Sequence, residues 1–190
     1  MSETRENKWF VLRVTYSREL KVKAYLESEG IQTFIPMQYT IVERRGKREK
    51  VLQPMVHNLI FVYSTRETID YYKHLNILAS QLRYIMDREK HVPIVVPEKQ
   101  MQDFIAVAGS TDEQILYLSP EELHLKKGDR VRINSGIWRG VEGCFVRFKG
   151  GMRVVVAIEG IMAVATVSLS PSMVDKLPSP PSQVTAHRHA

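Results

Sequence analysis

The sequence predicts an α+β fold in two parts, a mostly antiparallel sheet with helices followed by a small β-barrel. Three observations predict it. Over roughly the first hundred residues, alternating apolar strands are interleaved with stretches of helical period. From Lys126 onward the pattern is all β, with short strands joined by glycine-bearing turns. Between them, Ser110 to Glu122 changes composition and reads as a linker with one apolar segment, Ile115, Leu116 and Leu118.

Lys8 to Val14 is aromatic and β-branched. Trp9, Val11 and Arg13 face one way and Phe10, Leu12 and Val14 the other, as a strand with a well buried face requires. Ser17 offers an N-cap, and Leu20, Val22, Ala24, Tyr25 and Leu26 recur at helical spacing up to Gly30, a natural stop. Thr33 to Ile35 is a short strand ended by Pro36. Tyr39 to Arg45 and Lys47 to Leu52 are charged, extended runs around Gly46 and predict an exposed hairpin. Leu59 to Tyr63 is apolar enough for a central strand.

Thr65 can cap a helix through His74 that buries Ile69 and Tyr72, and Leu82 to Met86 returns as a strand before the polar turn Asp87 to Lys90. Val92 to Val96 follows as an extended edge, where Pro93 is tolerated. Pro97 suits the first turn of a helix carrying Met101, Phe104, Ile105 and Ala108. Such an order predicts helices on one face of the sheet and leaves the other face unaccounted for. Beyond the linker, Arg130 to Ile133, Gly143 to Phe148, Arg153 to Ile158 and Met162 to Leu169 read as strands. Strands this short bury a core by curling into a barrel. The Pro- and Ser-rich end after Leu177 is expected to be a disordered tail.

The chain has 190 residues, 27 Lys and Arg against 21 Asp and Glu, and a formal net charge of +6. That is a mild excess, compatible with a polyanion nearby. A single cysteine, Cys144, excludes a disulfide framework and any multi-cysteine metal site, and a reducing compartment is expected. No apolar run approaches the roughly 18 residues of a membrane span, and Met1 to Lys8 carries no signal-peptide core. A cytoplasmic protein, with no membrane association, is the expectation. His57, His74, His91 and His124 are scattered singly, and no carboxylate pair or phosphate-binding glycine loop is present. The expectation is therefore no catalytic residues, no cofactor and no metal.

The strongest motif is Lys127-Gly128-Asp129-Arg130-Val131-Arg132-Ile133 followed by Gly136-Ile137-Trp138-Arg139-Gly140-Val141-Glu142-Gly143. A Gly-Asp turn enters a strand, and the glycines at 136, 140 and 143 permit positive φ angles and close backbone approach. This resembles the KOW motif of SH3-like barrels, carried here by Gly128, Asp129, Val131, Gly136, Gly140, Val141 and Gly143. Upstream, the run Lys8 to Val14, the helix containing Glu19 to Lys23, the passage Gly30 to Pro36 and the strand Leu59 to Val62 occur in the order of the NusG N-terminal domain. The sequence thus resembles the NusG family. Phe34-Ile35-Pro36-Met37, Val56-His57-Asn58-Leu59 and Val95-Val96-Pro97 resemble its specialised UpxY-type antiterminators.

The resemblance implies a NusG-like domain over 7–108, a linker over 109–124, a KOW barrel over 125–177 and a tail over 178–190. It further implies a monomeric elongation and antitermination factor, acting on particular long operons such as polysaccharide clusters. Its N-terminal domain would set an exposed apolar sheet face against the clamp helices of RNA polymerase. Mapped by motif, that face is Trp9, Val56, Leu59, Phe61 and Tyr84, with Asp70, Tyr71 and Tyr72 at a second polymerase contact. The KOW domain would recruit a ribosomal protein or a termination factor. Arg44, Arg45, Lys47, Arg48 and Lys50 crowd one hairpin tip, where they can meet nucleic acid weakly and without sequence preference, or simply keep the edge soluble. Sequence-specific DNA readout is not expected, because the positions that perform it in one operon-specific relative are Thr15, Tyr25, Ser28 and Glu29 here. The alternative is a KOW-type RNA-binding or ribosome-associated protein without polymerase contact. It draws on the second half's nine Lys and Arg against four Asp and Glu over residues 126–176.

Overall fold

The first strand, Lys8–Val14 (β1), is apolar on both sides, and the fold covers both sides: all but Lys8 and Arg13 are buried. The computed structural model describes residues 6–44, 46–75, 82–110, 114–119, 122 and 128–178. Two units are formed, Met1–Glu113 and Gln114–Ala190.

In the first unit, β1 is followed by α1 (Glu19–Ser28), β2 (Gln32–Phe34), a hairpin of β3 (Met37–Arg44) and β4 (Lys47–Pro54), and β5 (Leu59–Ser64). Then come α2 (Arg66–His74), β6 (Leu82–Tyr84), β7 (Val95–Val96) and α3 (Glu98–Ala108). The sheet order is β2-β5-β1-β6, with β7 also on β1, and every ladder is antiparallel. Register fixes the faces. Phe10 opposes Val62 and Leu12 opposes Ile60 and Tyr84 on one face, whereas Trp9, Val11 and Arg13 oppose Tyr63, Phe61 and Leu59 on the other.

Helices α1 and α2 close the first of these faces, where Val22, Leu26 and Ile69 join Phe10, Leu12, Val14, Ile60 and Val62. The second face is not left open: α3 sets Phe104 against Phe61 and Phe34, at ring distances of 5.8 and 6.2 Å. Helices therefore lie on both faces, contrary to the expectation from element order. Thr65 caps α2 as expected, its Oγ1 accepting from Thr68 N–H at 3.1 Å. Ser17 does not cap α1; it has φ +50, and its N–H donates to Asn58 Oδ1 at 2.9 Å. The β3–β4 ladder runs from Met37↔Pro54 to Arg44↔Lys47 and forms a separate two-stranded sheet.

The second unit contains β8 (Leu116–Leu118), β9 (Asp129–Ile133), β10 (Glu142–Phe148), β11 (Gly151–Ile158), β12 (Met162–Ala165), a 3-10 turn (Pro171–Met173) and β13 (Val174–Lys176). Its order is β13-β9-β10-β11-β12-β8. No ladder joins β8 to β13 among the described residues, so the expected closed barrel is met as a six-stranded sheet with two edges. The apolar segment expected inside the linker is β8 itself: Leu118 opposes Ala163 and Leu116 opposes Ala165. Leu118 joins a core of Val146, Phe148, Val155, Ala163 and Ala165, which explains why a linker should carry three large apolar residues. Apart from Pro178, the expected tail over 178–190 lies outside the described residues.

Candidate functional site

The five residues expected on one exposed apolar face do not form one. Trp9, Leu59 and Phe61 are 4%, 4% and 0% exposed. Phe61 lies beneath Phe104, and Trp9 packs on Tyr63 with ring centroids 5.2 Å apart. Tyr84 is on the opposite face, half-buried, with its ring 5.6 Å from Phe10 and the Lys73 ammonium 4.3 Å above it. Burial, then the nearby Asp70 carboxylate, pushes its phenol up from the ordinary value. Val56 lies in the β4–β5 connection, half-buried. Alternation along a strand locates a face, but α3, some forty residues onward in the chain, decides whether it is free.

The first unit does present apolar side chains, along the edge where β6 and β7 meet. Met86, Val92 and Val95 are exposed there. Met86 bridges Pro93, Val95 opposes Phe10, and Tyr84 borders the same edge through Leu12. The turn between them is tightened by Asp87, whose Oδ1 accepts from the Glu89 and Lys90 N–H groups at 2.9 Å each. Those two backbone donors, Lys90 first, hold its carboxyl below the usual range. Pro93 signalled this edge in the sequence; the apolar residues beside it were there to be read as its free surface.

On α2, the expected second contact is divided by its bonds. Asp70 lies 3.3 Å from Lys73 Nζ and 3.8 Å from Arg66 Nε. Tyr72 turns inward, its ring edge-on to Tyr25 at 6.2 Å and its hydroxyl donating to Glu29 at 3.1 Å. Tyr71 packs edge-on against Tyr72 yet is 62% exposed, so it is the member of the three that α2 presents outward.

The hairpin carries its charges as expected. Arg44, Lys47, Arg48 and Lys50 are exposed, while Arg45 lies outside the described residues. Glu43 opposes Arg48, and Lys50 stands 4.7 Å above the Tyr39 ring. Tyr39, Ile41 and Leu52 are exposed on the same side as Lys50. Lys50 thus shares one exposed side of the hairpin with three apolar residues.

In the second unit, the glycines of the motif divide by role. Gly136 and Gly140 have φ +79 and +91, which favours glycine. Gly128 and Gly143 are sites of close approach: a Cβ at Gly143 would meet the Val155 carbonyl oxygen at 2.4 Å, and one at Gly128 the Phe145 carbonyl oxygen at 2.5 Å. Asp129 opens β9, and Val131 and Val141 are buried. The turn they shape buries Trp138 and leaves Ile137 81% exposed.

No group of three or more His, Cys, Asp or Glu capable of holding a metal occurs among the described residues. His57 Nδ1 lies 3.3 Å from Oε1 of the buried Glu19. Among the described residues, no helix is long and apolar enough to cross a membrane.

A family model described as "Transcription termination factor nusG" matches residues 7–105. No curated protein matches. A solved structure titled "Domain interaction in Thermotoga maritima NusG" is 19% identical, covers 91% of this chain and 98% of its own, and superposes with a TM-score of 0.41.

Proposed function

This chain belongs to the NusG family of transcription factors, and on that premise we propose that it binds RNA polymerase through its first unit and raises the processivity of elongation. The observation that carries the reading is the family match over residues 7–105, which spans every element of the first unit's sheet and nearly all of α3. The protein acts without catalysis: it adds contacts that favour the closed polymerase clamp, and it shifts that equilibrium by its differential affinity for the two states. The docking surface is the apolar β6–β7 edge, with Tyr84, Met86, Val92 and Val95 against the clamp helices, and Tyr71 reaches a second contact. An apolar patch rimmed by charge is what such an interface requires. Trp9, Leu59 and Phe61 support that surface from within.

The hairpin cations Arg44, Lys47, Arg48 and Lys50 lie against nucleic acid without reading its sequence. The second unit recruits a further protein, with Ile137 as the exposed apolar anchor beside the buried Trp138. Phe34-Ile35-Pro36-Met37 and Val95-Val96-Pro97 favour a specialised, UpxY-like antiterminator serving particular long operons. The test is single-round transcription of a long template with purified polymerase. Added protein should increase the full-length fraction, and Val92→Asp with Val95→Asp should abolish the increase in folded protein. No change on adding the wild-type chain would refute the reading and favour a KOW-type RNA-binding protein without polymerase contact.

A further inference from the structure

The segment that reads as linker in the sequence covers the edge of an apolar strand. β12 is buried at all four of its residues, and β8 is its outer neighbour in the sheet order. Without β8, β12 would end the sheet, and its backbone groups would be a template for any extended chain. The cover is small. It makes three rungs, Leu118 opposite Ala163, Tyr117 opposite Val164 and Leu116 opposite Ala165.

The two sides of this contact are unequal. β8 brings two leucines and a tyrosine, of which only Leu118 is fully buried, and β12 answers the leucines with alanines. At that edge, loss of β8 would uncover methyl groups and backbone, a recess fitted to apolar residues at alternate positions. The polar contacts at its ends also survive its departure. Arg153 Nη1 donates to the Gln114 carbonyl at 3.0 Å, but it also donates to the Thr166 carbonyl at 2.6 Å, and Nε donates to the Phe148 carbonyl at 3.3 Å. Release of β8 therefore strands no guanidinium. Beyond β8, Ser119 N–H donates to Glu122 Oε2 at 3.0 Å and Glu122 N–H to Ser119 Oγ at 3.3 Å, a reciprocal pair that needs nothing from the sheet.

We propose that β8 is a strap that masks a strand-accepting edge on β12, and that it is displaced when an extended segment of another protein, apolar at alternate positions, pairs there instead. Strand addition of this kind takes affinity from the backbone ladder and specificity from alternate side chains. The inference rests on the reading of the second unit as the one that recruits a protein, and it adds the form of the partner and a means of control. A second copy's β8 is the poorer occupant. It would make the same three rungs and forfeit the tether over residues 119–128 that keeps the resident strand at high local concentration. β12 has a further residue, Met162, outside those rungs, so a longer strand gains pairing that β8 does not make.

The experiment is fluorescence anisotropy of the purified full chain with a labelled peptide carrying residues 114–119, with lysines appended for solubility. Leu118→Ala should bind it about tenfold more tightly than the parent or better, because weakening the resident strand raises the fraction of open edge. If that variant melts below the assay temperature, Leu116→Ala takes its place. Leu116→Cys with Ala165→Cys, in a Cys144→Ser background, ties the strap down: oxidised, it should not bind the peptide, and reductant should restore binding to at least the parent level. A peptide with both leucines replaced by aspartate should bind to none of them. Ile137→Asp should leave binding unchanged, which separates the edge from the exposed loop. No polymerase takes part, so failure here leaves the polymerase reading standing. Equal affinity in the parent and the leucine variant would overturn the proposal. So would peptide bound by the oxidised tether, or a dimer that grows with concentration and vanishes on oxidation, which would make a second copy the occupant.

Discussion

Gly143 and Gly140 serve one turn for different physical reasons, and alanine at each position separates them. A Cβ on Gly143 would stand 2.4 Å from the Val155 carbonyl oxygen and 2.8 Å from Val154 Cγ1. The first contact is main chain on the adjacent strand. It is relieved only by moving β11 from β10, against the register that sets Cys144 opposite Val155. Overpacking of this kind costs about 1–3 kcal/mol and at times more. At Gly140 nothing lies within 4 Å of such a Cβ, but φ is +91, so alanine there costs about 1 kcal/mol through backbone conformation alone. For a unit of this size each kcal/mol lowers Tm by about 4–8 °C. Gly143→Ala should therefore lower the melting of the second unit by more than 10 °C, and Gly140→Ala by about half as much. Trp138 fluorescence, in a Trp9→Phe background that leaves it as the one remaining tryptophan, reports on that unit. Trimming Val154 to Ala removes the Cγ1 contact but leaves the carbonyl one, so Gly143→Ala should stay destabilising on top of Val154→Ala. Full rescue by Val154→Ala, or a greater loss from Gly140→Ala, would refute the close-approach argument.

Other outcomes follow from the packing and the charges. Phe104→Ala should destabilise the first unit by about 3–5 kcal/mol in denaturant unfolding, because it uncovers Phe61 and Phe34; an unchanged midpoint would mean α3 does not hold the second face. Tyr117, on β8, has its phenol pushed up by burial to about 12 from 10.0. The folded state thus binds that proton more tightly, so the stability it contributes is full below the unfolded value of 10.0 and is lost as pH rises through about 12. Tyr117→Phe should flatten this alkaline loss, and an identical alkaline profile would contradict it. Glu27 is held below the ordinary carboxylate value, first by its bond from Lys23 and also by Thr33. Its contribution is present above the unfolded value and lost as pH falls through the folded one, so Glu27→Gln should differ from the parent at neutral pH and converge with it in acid. Persistence of the difference in acid would exclude the ionised carboxylate as its source. Because Glu27 is largely exposed, the effect should be small.

Local signals were readable because their causes are local. β1, the Thr65 cap and the Gly46 hairpin each depend on a few adjacent residues, and each is where the sequence placed it. The turn glycines were legible for the same reason, although their division between positive φ and close approach needed the strand register. Three features were hidden because they depend on residues distant in the chain. Burial of Phe61 is imposed by Phe104. The apolar run Ile115 to Leu118 reads as linker until β12 supplies an edge for it. The Arg13–Arg83 pairing exists only when β6 lies beside β1, across some seventy residues, and no periodicity in either segment announces it. Ser17 shows the opposite failure: a residue type favoured at helix starts was drawn instead into a bond with Asn58.

The most direct measurement of the central claim is retention of RNA polymerase by the tagged full chain at raised salt. An apolar interface on the β6–β7 edge predicts that polymerase stays bound as salt is increased and is lost on Val92→Asp with Val95→Asp, in protein whose melting is unchanged. Release of polymerase from the wild-type chain as salt rises, or full retention by the variant, would contradict it.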